Sequence, residues 1–349
     1  MKESRNSHSK LATLLKNIDR SGPIKIGVSR RTVEFQKNEM VLYKYKNIGA
    51  TKNNRPILLV YSLVNRPEIA DLSSDRSLIK ELCDLGFSVY LIDWGDPEDN
   101  DSEVELSTYI IDYLGSVVDY IRDAYLKEAI DVIGLCQGGT FAVCYASLFP
   151  EKISSLITTA TPIDFHSEKD RLSALIRHVD LKVFEKFPRT IDGRMLNFFF
   201  LFLKPYKLLQ KKYFDLLENG HDLVYVQNFL KMEKWIFDCP AISSNALREF
   251  AATFYQENAL VEKNLFLNGL RVEPSDISAP ILNIFASNDH IVPIESSKAL
   301  ARLITHPDYS EIEMDCGHVG LYVGKSTGRS IGGVIAAWLD TQHYQWKSP

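Results

Sequence analysis

At 349 residues, with 45% apolar and 24% charged side chains, the chain is long enough for one large domain with an insertion, or for two domains. Forty basic against 45 acidic residues leave a net charge of -5, which gives no electrostatic reason to expect nucleic acid as a partner. The opening MKESRNSHSKLATLLKN lacks the apolar core of a secretory signal, and the longest apolar run, MLNFFFLFL at 195–203, falls short of the roughly 20 residues of a membrane span, so a cytoplasmic protein without a transmembrane segment is expected.

The first 25 or so residues are polar around a modest LATLLKNI face; a docking helix and a frayed end both fit, and the composition favours the frayed end. Residues 1–30 are therefore an N-terminal extension. TVEFQKNEMVLYKYK (32–46) reads as an antiparallel edge hairpin turning at KNE. Apolar runs then recur at RPILLVYSLV (55–64), FSVYLIDW (87–94), IDVIGL (130–135), ISSLITTATP (153–162) and APILNIFAS (279–287). Each is short, continuous and rich in Ile, Val or Leu, the pattern of strands buried on both faces of a parallel sheet. Between the first four lie helix-period segments, DRSLIKELCDLG (75–86), LSTYIIDYLGSVVDYIRDAY (106–125) and TFAVCYASLFP (140–150). The alternation predicts an α/β, doubly wound sheet with right-handed crossovers. From about 166 to 271 it gives way to aromatic helical segments, NFFFLF, KWIF and REFAATFY, expected to form a cap over the sheet's C-terminal edge. The core thus spans 31–165 and 272–349, closing with GGVIAAWLDTQ as a final helix.

Gly134-Leu135-Cys136-Gln137-Gly138-Gly139 joins a predicted strand to a predicted helix. That is the context of a nucleophile elbow, in which the nucleophile takes positive φ and the flanking glycines avoid collisions across the turn. A buried structural cysteine is the competing account. A phosphate-binding turn is not, because neither G-x-G-x-x-G nor a following Lys-Ser is present. In the α/β-hydrolase order an acid and then a histidine follow the nucleophile. Asp289 stands directly after ILNIFASN, and His318 lies in DCGHVGLYVG ahead of the last helix. His290 is the rival base, and its place before IVP suits an orienting or substrate-side role better. Five cysteines (Cys83, Cys136, Cys144, Cys239, Cys316) show neither CxxC pairs nor zinc spacing with histidines, so no metal is expected; Cys316 is taken as incidental.

YSLVNRPEIADLSSDRSLIKEL, VYLIDWGDP, GLCQGG, TTATPIDF, NFLKMEKWIFD, LNIFASNDHIVP and GHVGLYVG together resemble the polyhydroxyalkanoate synthases, specifically the catalytic subunit of the short, two-component kind. The similarity spans roughly 30–340 and implies an α/β-hydrolase fold with a helical, aromatic-rich cap. It also implies polymerisation of a 3-hydroxyacyl-CoA, 3-hydroxybutyryl-CoA above all, into polyester with release of CoA. Thiol chemistry suits this independently: a thiolate attacking a thioester yields another thioester, so the acyl group stays activated for a hydroxyl acceptor. By matching position, Cys136 carries the acyl chain, His318 deprotonates it, and Asp289 either orients His318 or helps activate the acceptor hydroxyl.

The backbone N–H of Gln137, with one N–H from near Leu63 or Val64, is expected to meet the oxyanion. Asn65, Arg66, Asp71 and Asp93-Trp94-Gly95 fall at the sheet edge where ligands bind, although turn formation and strand capping explain them nearly as well. Asn65, Asp93, Trp94 and His290 are the substrate-binding candidates. Lys231, Lys234 and Trp235 could meet CoA, but a cap helix burying Trp235 is the simpler account. Phe198, Phe199, Phe200 and Phe202 read as cap core or as a surface touching the polyester granule. No cofactor is implied, since CoA enters with the substrate. The resemblance implies a separate accessory subunit, association with granules, and leaves a homodimer open. A thioesterase, depolymerase or acyltransferase using the same triad, or a non-catalytic granule scaffold, are the alternatives.

Overall fold

The structure, a computed structural model, describes residues 2–46, 55–97, 104–197, 211–324 and 330–346. Its centre is an eight-stranded sheet: β1 (Arg31–Lys37), β2 (Met40–Tyr45), β3 (Pro56–Val60), β4 (Ser88–Asp93), β5 (Ile130–Leu135), β6 (Ile153–Thr159), β7 (Ile281–Ala286) and β8 (Tyr309–Met314), in the spatial order β1-β2-β4-β3-β5-β6-β7-β8. The β1–β2 hairpin pairs antiparallel to β4; every pairing from β4 to β8 is parallel. Asn38, at the hairpin turn, takes φ 50°, which its short polar side chain tolerates. Alternate residues of the central strands feed two separate cores. Leu58, Val60, Tyr90 and Val132 enter one, and Ile57, Leu59, Leu91 and Ile133 the other, which is why these strands carry no polar face.

Helix α1 (Lys2–Ser21) precedes the sheet. α2 (Leu78–Asp84) starts on a Ser77 cap after a small hairpin of residues 71–73 and 76–77, so the helix predicted from residue 75 begins three residues later. α3 (Leu114–Tyr125) and α4 (Gln137–Leu148) cover the first core, while α2 packs with the final helix on the second. Between β6 and β7, helices α5 (Lys212–Asn219), α6 (Leu223–Phe237) and α7 (Ser244–Phe250) occupy the stretch expected to form the cap. α8 (Ile331–Trp346) closes the chain.

Two expectations need correction. The N-terminal segment is not a frayed end: Leu14 of α1 packs against Leu216 of α5 and Val226 of α6, and the Asn17 amide donates to the carbonyls of Gly220 (2.9 Å) and His221 (3.1 Å). Lys10 adds an ion pair with Glu218. The docked stripe mixes one leucine with a buried asparagine, so hydrophobicity alone understates it. The second is β8, YSEIEM, absent from the runs read as strands. It pairs with β7 from Ile281↔Tyr309 to Ala286↔Met314 at the sheet's far edge, where alternate residues reach solvent and charges are tolerated.

Candidate active site

Cys136 stands between the end of β5 and the first residue of α4 with φ 53° and ψ -125°. Its N–H donates to the Thr159 carbonyl of β6 (2.9 Å) and its carbonyl accepts from Gly139 (2.9 Å), so the backbone is held from both sides. The glycines are needed for space. A Cβ at Gly134 would lie 2.3 Å from the Gly139 Cα, and one at Gly138 only 2.1 Å from the Val60 carbonyl oxygen of β3.

The loop after β7 supplies Asp289. One carboxylate oxygen accepts the N–H groups of Ile291 (2.8 Å) and Val292 (2.9 Å), and the other accepts His318 Nδ1–H at 2.6 Å. The loop after β8 carries His318 and is stitched to the first by the Asn288 N–H to Cys316 carbonyl bond (2.9 Å). With Nδ1 committed to the carboxylate, Nε2 is the ring nitrogen left to serve Cys136. Burial works against an imidazolium here. The neighbouring Asp289 carboxylate, and then Cys136, outweigh it, raising His318 well above its ordinary range. A cysteine near a buried histidine that is itself hydrogen bonded to a buried carboxylate is an arrangement able to take a proton from the thiol and return it to a leaving group.

The other candidates separate. Gln137, the residue after the thiol, is buried with its backbone at the start of α4; its side-chain oxygen accepts the Leu63 N–H at 2.9 Å. The Leu63 N–H is therefore already engaged. Trp94 is core: buried, it donates Nε1–H to the Tyr61 carbonyl (2.9 Å) and packs edge-on against Tyr109 and Phe141. Asp93 caps its own turn, accepting the Gly95 N–H at 3.1 Å. Asn65 takes φ 63° in the loop after β3, a turn role. His290 is exposed, and the carboxylate beside it is bonded to His318. Asp71 holds the N-terminal extension through the Ser29 N–H (2.7 Å) and hydroxyl (2.8 Å). Arg66 bridges Asp96 (2.6 Å) and Asp238 (3.3 Å), and its carbonyl accepts Trp235 Nε1–H (2.7 Å). Lys234 donates to the Ile24 carbonyl (2.8 Å), so this end of α6 is engaged in holding the fold together. Phe198, Phe199, Phe200 and Phe202 lie outside the described residues.

The α/β-hydrolase family model matches residues 55–325. The chain is 39% identical to the poly(3-hydroxyalkanoate) polymerase subunit PhaC of Allochromatium vinosum over 95% of this chain and 94% of that one. Against the subunit of the same name from Synechocystis it is 37% identical, over 90% of this chain and 85% of that one. The chain belongs to the poly(3-hydroxyalkanoate) polymerase subunit family. Among solved structures, a monoacylglycerol lipase from Paleococcus ferrophilus superposes with a TM-score of 0.55 at 19% identity, covering 86% of this chain and 99% of the lipase, a likeness of fold alone.

Two tyrosines near the thiol of this polymerase-family chain were not singled out by the sequence. The Tyr322 hydroxyl donates to the Thr159 carbonyl (3.2 Å) and lies 3.0 Å from the Thr159 hydroxyl, under the elbow. Tyr61 is buried at the end of β3. Burial, then the nearness of Cys136, pushes both phenols well up, so both stay protonated. Their signals, YS after an apolar run and GLYVG, read as strand end and turn. Among the described residues no group of three His, Cys, Asp or Glu could hold a metal, and no helix is long and apolar enough to cross a membrane.

Proposed function

We propose that the chain polymerises 3-hydroxyacyl-CoA into polyester through a cysteinyl thioester on Cys136. The observation that carries the residue assignment is Cys136 at the elbow with positive φ, near a buried His318 whose Nδ1 is held by Asp289. His318 takes the thiol proton, and the sulfur attacks the thioester carbonyl carbon. The oxyanion is met by the Gln137 N–H and, from the loop after β3, the Val64 N–H. Collapse breaks the bond to the CoA sulfur, and His318 protonates the leaving thiolate. The hydroxyl of another 3-hydroxyacyl unit, deprotonated by His318, then attacks the cysteinyl thioester; an ester C–O bond forms and the thiol returns. Asp289, with both oxygens occupied by His318 and by loop amides, orients the base and stabilises its charged form.

3-Hydroxybutyryl-CoA is the expected monomer, with an accessory subunit, cytoplasmic location and the granule surface as the setting. The test is CoA release from 3-hydroxybutyryl-CoA, read with a thiol reagent, with isolation of chloroform-soluble product, for wild type and Cys136→Ala alongside a partner subunit. Polymer and CoA appearing together, and both falling to background in the variant, is the expected result. CoA with only free 3-hydroxybutyrate would make the protein a thioesterase, and release independent of Cys136 would remove the nucleophile assignment.

A further inference from the structure

We propose that the Gln137 side chain is a positioning residue for acyl transfer: its amide oxygen fixes the loop after β3 at the separation from the elbow that the oxyanion requires. This rests on the function proposed above. Gln137 is joined to Cys136 and opens α4, so its backbone is placed by the elbow itself. Its buried side chain crosses to the neighbouring loop and accepts the buried Leu63 N–H at 2.9 Å. The same loop is held elsewhere by Trp94 Nε1–H on the Tyr61 carbonyl (2.9 Å) and by the Ser62 hydroxyl on the Val64 carbonyl (2.5 Å). The contact from Gln137 differs from these two, because it comes from the residue that also presents the first oxyanion donor. One residue therefore offers its N–H to the developing charge and, through its side chain, sets where the second N–H stands. The triad is anchored separately, through Ile291, Val292 and Asp289. Loss of the amide should then slow only steps that build an oxyanion.

The experiment compares wild type with Gln137→Met, which keeps the length of the side chain and removes the acceptor. Three quantities are read: CoA release from 3-hydroxybutyryl-CoA, alkylation of Cys136 by iodoacetamide followed by mass spectrometry, and amide hydrogen exchange in the segment 61–65. Displacement of iodide by sulfur forms no oxyanion and reports the nucleophile alone. Expected for the variant are a kcat lower by about tenfold to hundredfold, in keeping with a small misplacement of a catalytic group, KM within about twofold, unchanged alkylation, and faster exchange. An unchanged or higher kcat overturns the proposal, the latter showing that the amide obstructs the site. Alkylation slowed in parallel with kcat also overturns it. Should wild type release no CoA through Cys136, it is the proposed function that fails; exchange still decides the contact, since unaltered protection in the variant rules it out. Gln137→Asn, whose amide falls short of Leu63, gives the same pattern if methionine impairs folding.

Discussion

Cys136 holds a conformation that costs a non-glycine residue on the order of 1–3 kcal/mol, and the surrounding backbone pins it there. The same fixed thiol is a partner of His318, which gives a direct expectation. Replacing Cys136 by alanine removes two of the influences that raise His318, and Asp289→Asn removes the larger ones. The imidazole titration followed by NMR should therefore move down in the first variant and further down in the second; an unmoved midpoint in Cys136→Ala would separate the thiol from the base. Stability follows the same sign. A histidine raised in the folded state contributes stabilisation that is fully present below its unfolded value near 6.5 and is lost as pH rises through the folded one. Melting curves of His318→Gln against wild type should differ most below about pH 6.5 and converge at higher pH. At this scale the sequence was most legible for the order of Cys136, Asp289 and His318, because chain order and glycine spacing are written in the chain itself. Oxyanion donors are backbone atoms, so no side-chain pattern could choose between Leu63 and Val64. Trp94 misled because an aromatic at a strand end looks alike whether it faces a ligand or donates to the Tyr61 carbonyl.

Central strands facing two cores were legible, as was the edge hairpin through its turn, whereas β8 and the seat of α1 were not. β3, β4, β5, β6 and β7 carry apolar residues on both faces because both faces are covered. β8 alternates Tyr309, Ser310, Glu311, Ile312, Glu313 because it has one strand neighbour and an open side. α1 is similar: its docked face against α5 and α6 is short. Leu14 is 6% exposed in a small cluster, so Leu14→Ala should cost about 2 kcal/mol, the lower end for buried leucines, since the surroundings can partly collapse. Urea unfolding measures the loss, and hydrogen exchange should place the loosening in α1, α5 and α6. A loss spread evenly over the central sheet would count against this docking.

Across the whole molecule, one ion pair ties distant parts of the chain together. The Arg55 guanidinium, just before β3, makes a two-pronged contact with the buried Asp131 carboxylate of β5, one prong at 2.6 Å, and donates to the Leu339 carbonyl of α8 at 3.3 Å. Arg55→Leu leaves that carboxylate buried and unpaired, with an expected cost of about 3–5 kcal/mol in chemical denaturation. Activity per folded molecule should survive, because the pair lies at the strand ends away from the elbow; selective loss of turnover with normal stability would contradict this. The seat of α1 has a consequence for biosynthesis. Asn17 bonds to a carbonyl 203 residues further along. At a translation rate of about 5–20 residues per second, α1 leaves the ribosome about 10 to 40 seconds before α5 and α6 exist to receive it. During that interval Leu14 lacks Leu216 and Val226, so the docking of α1 is timed by the synthesis of α5 and α6.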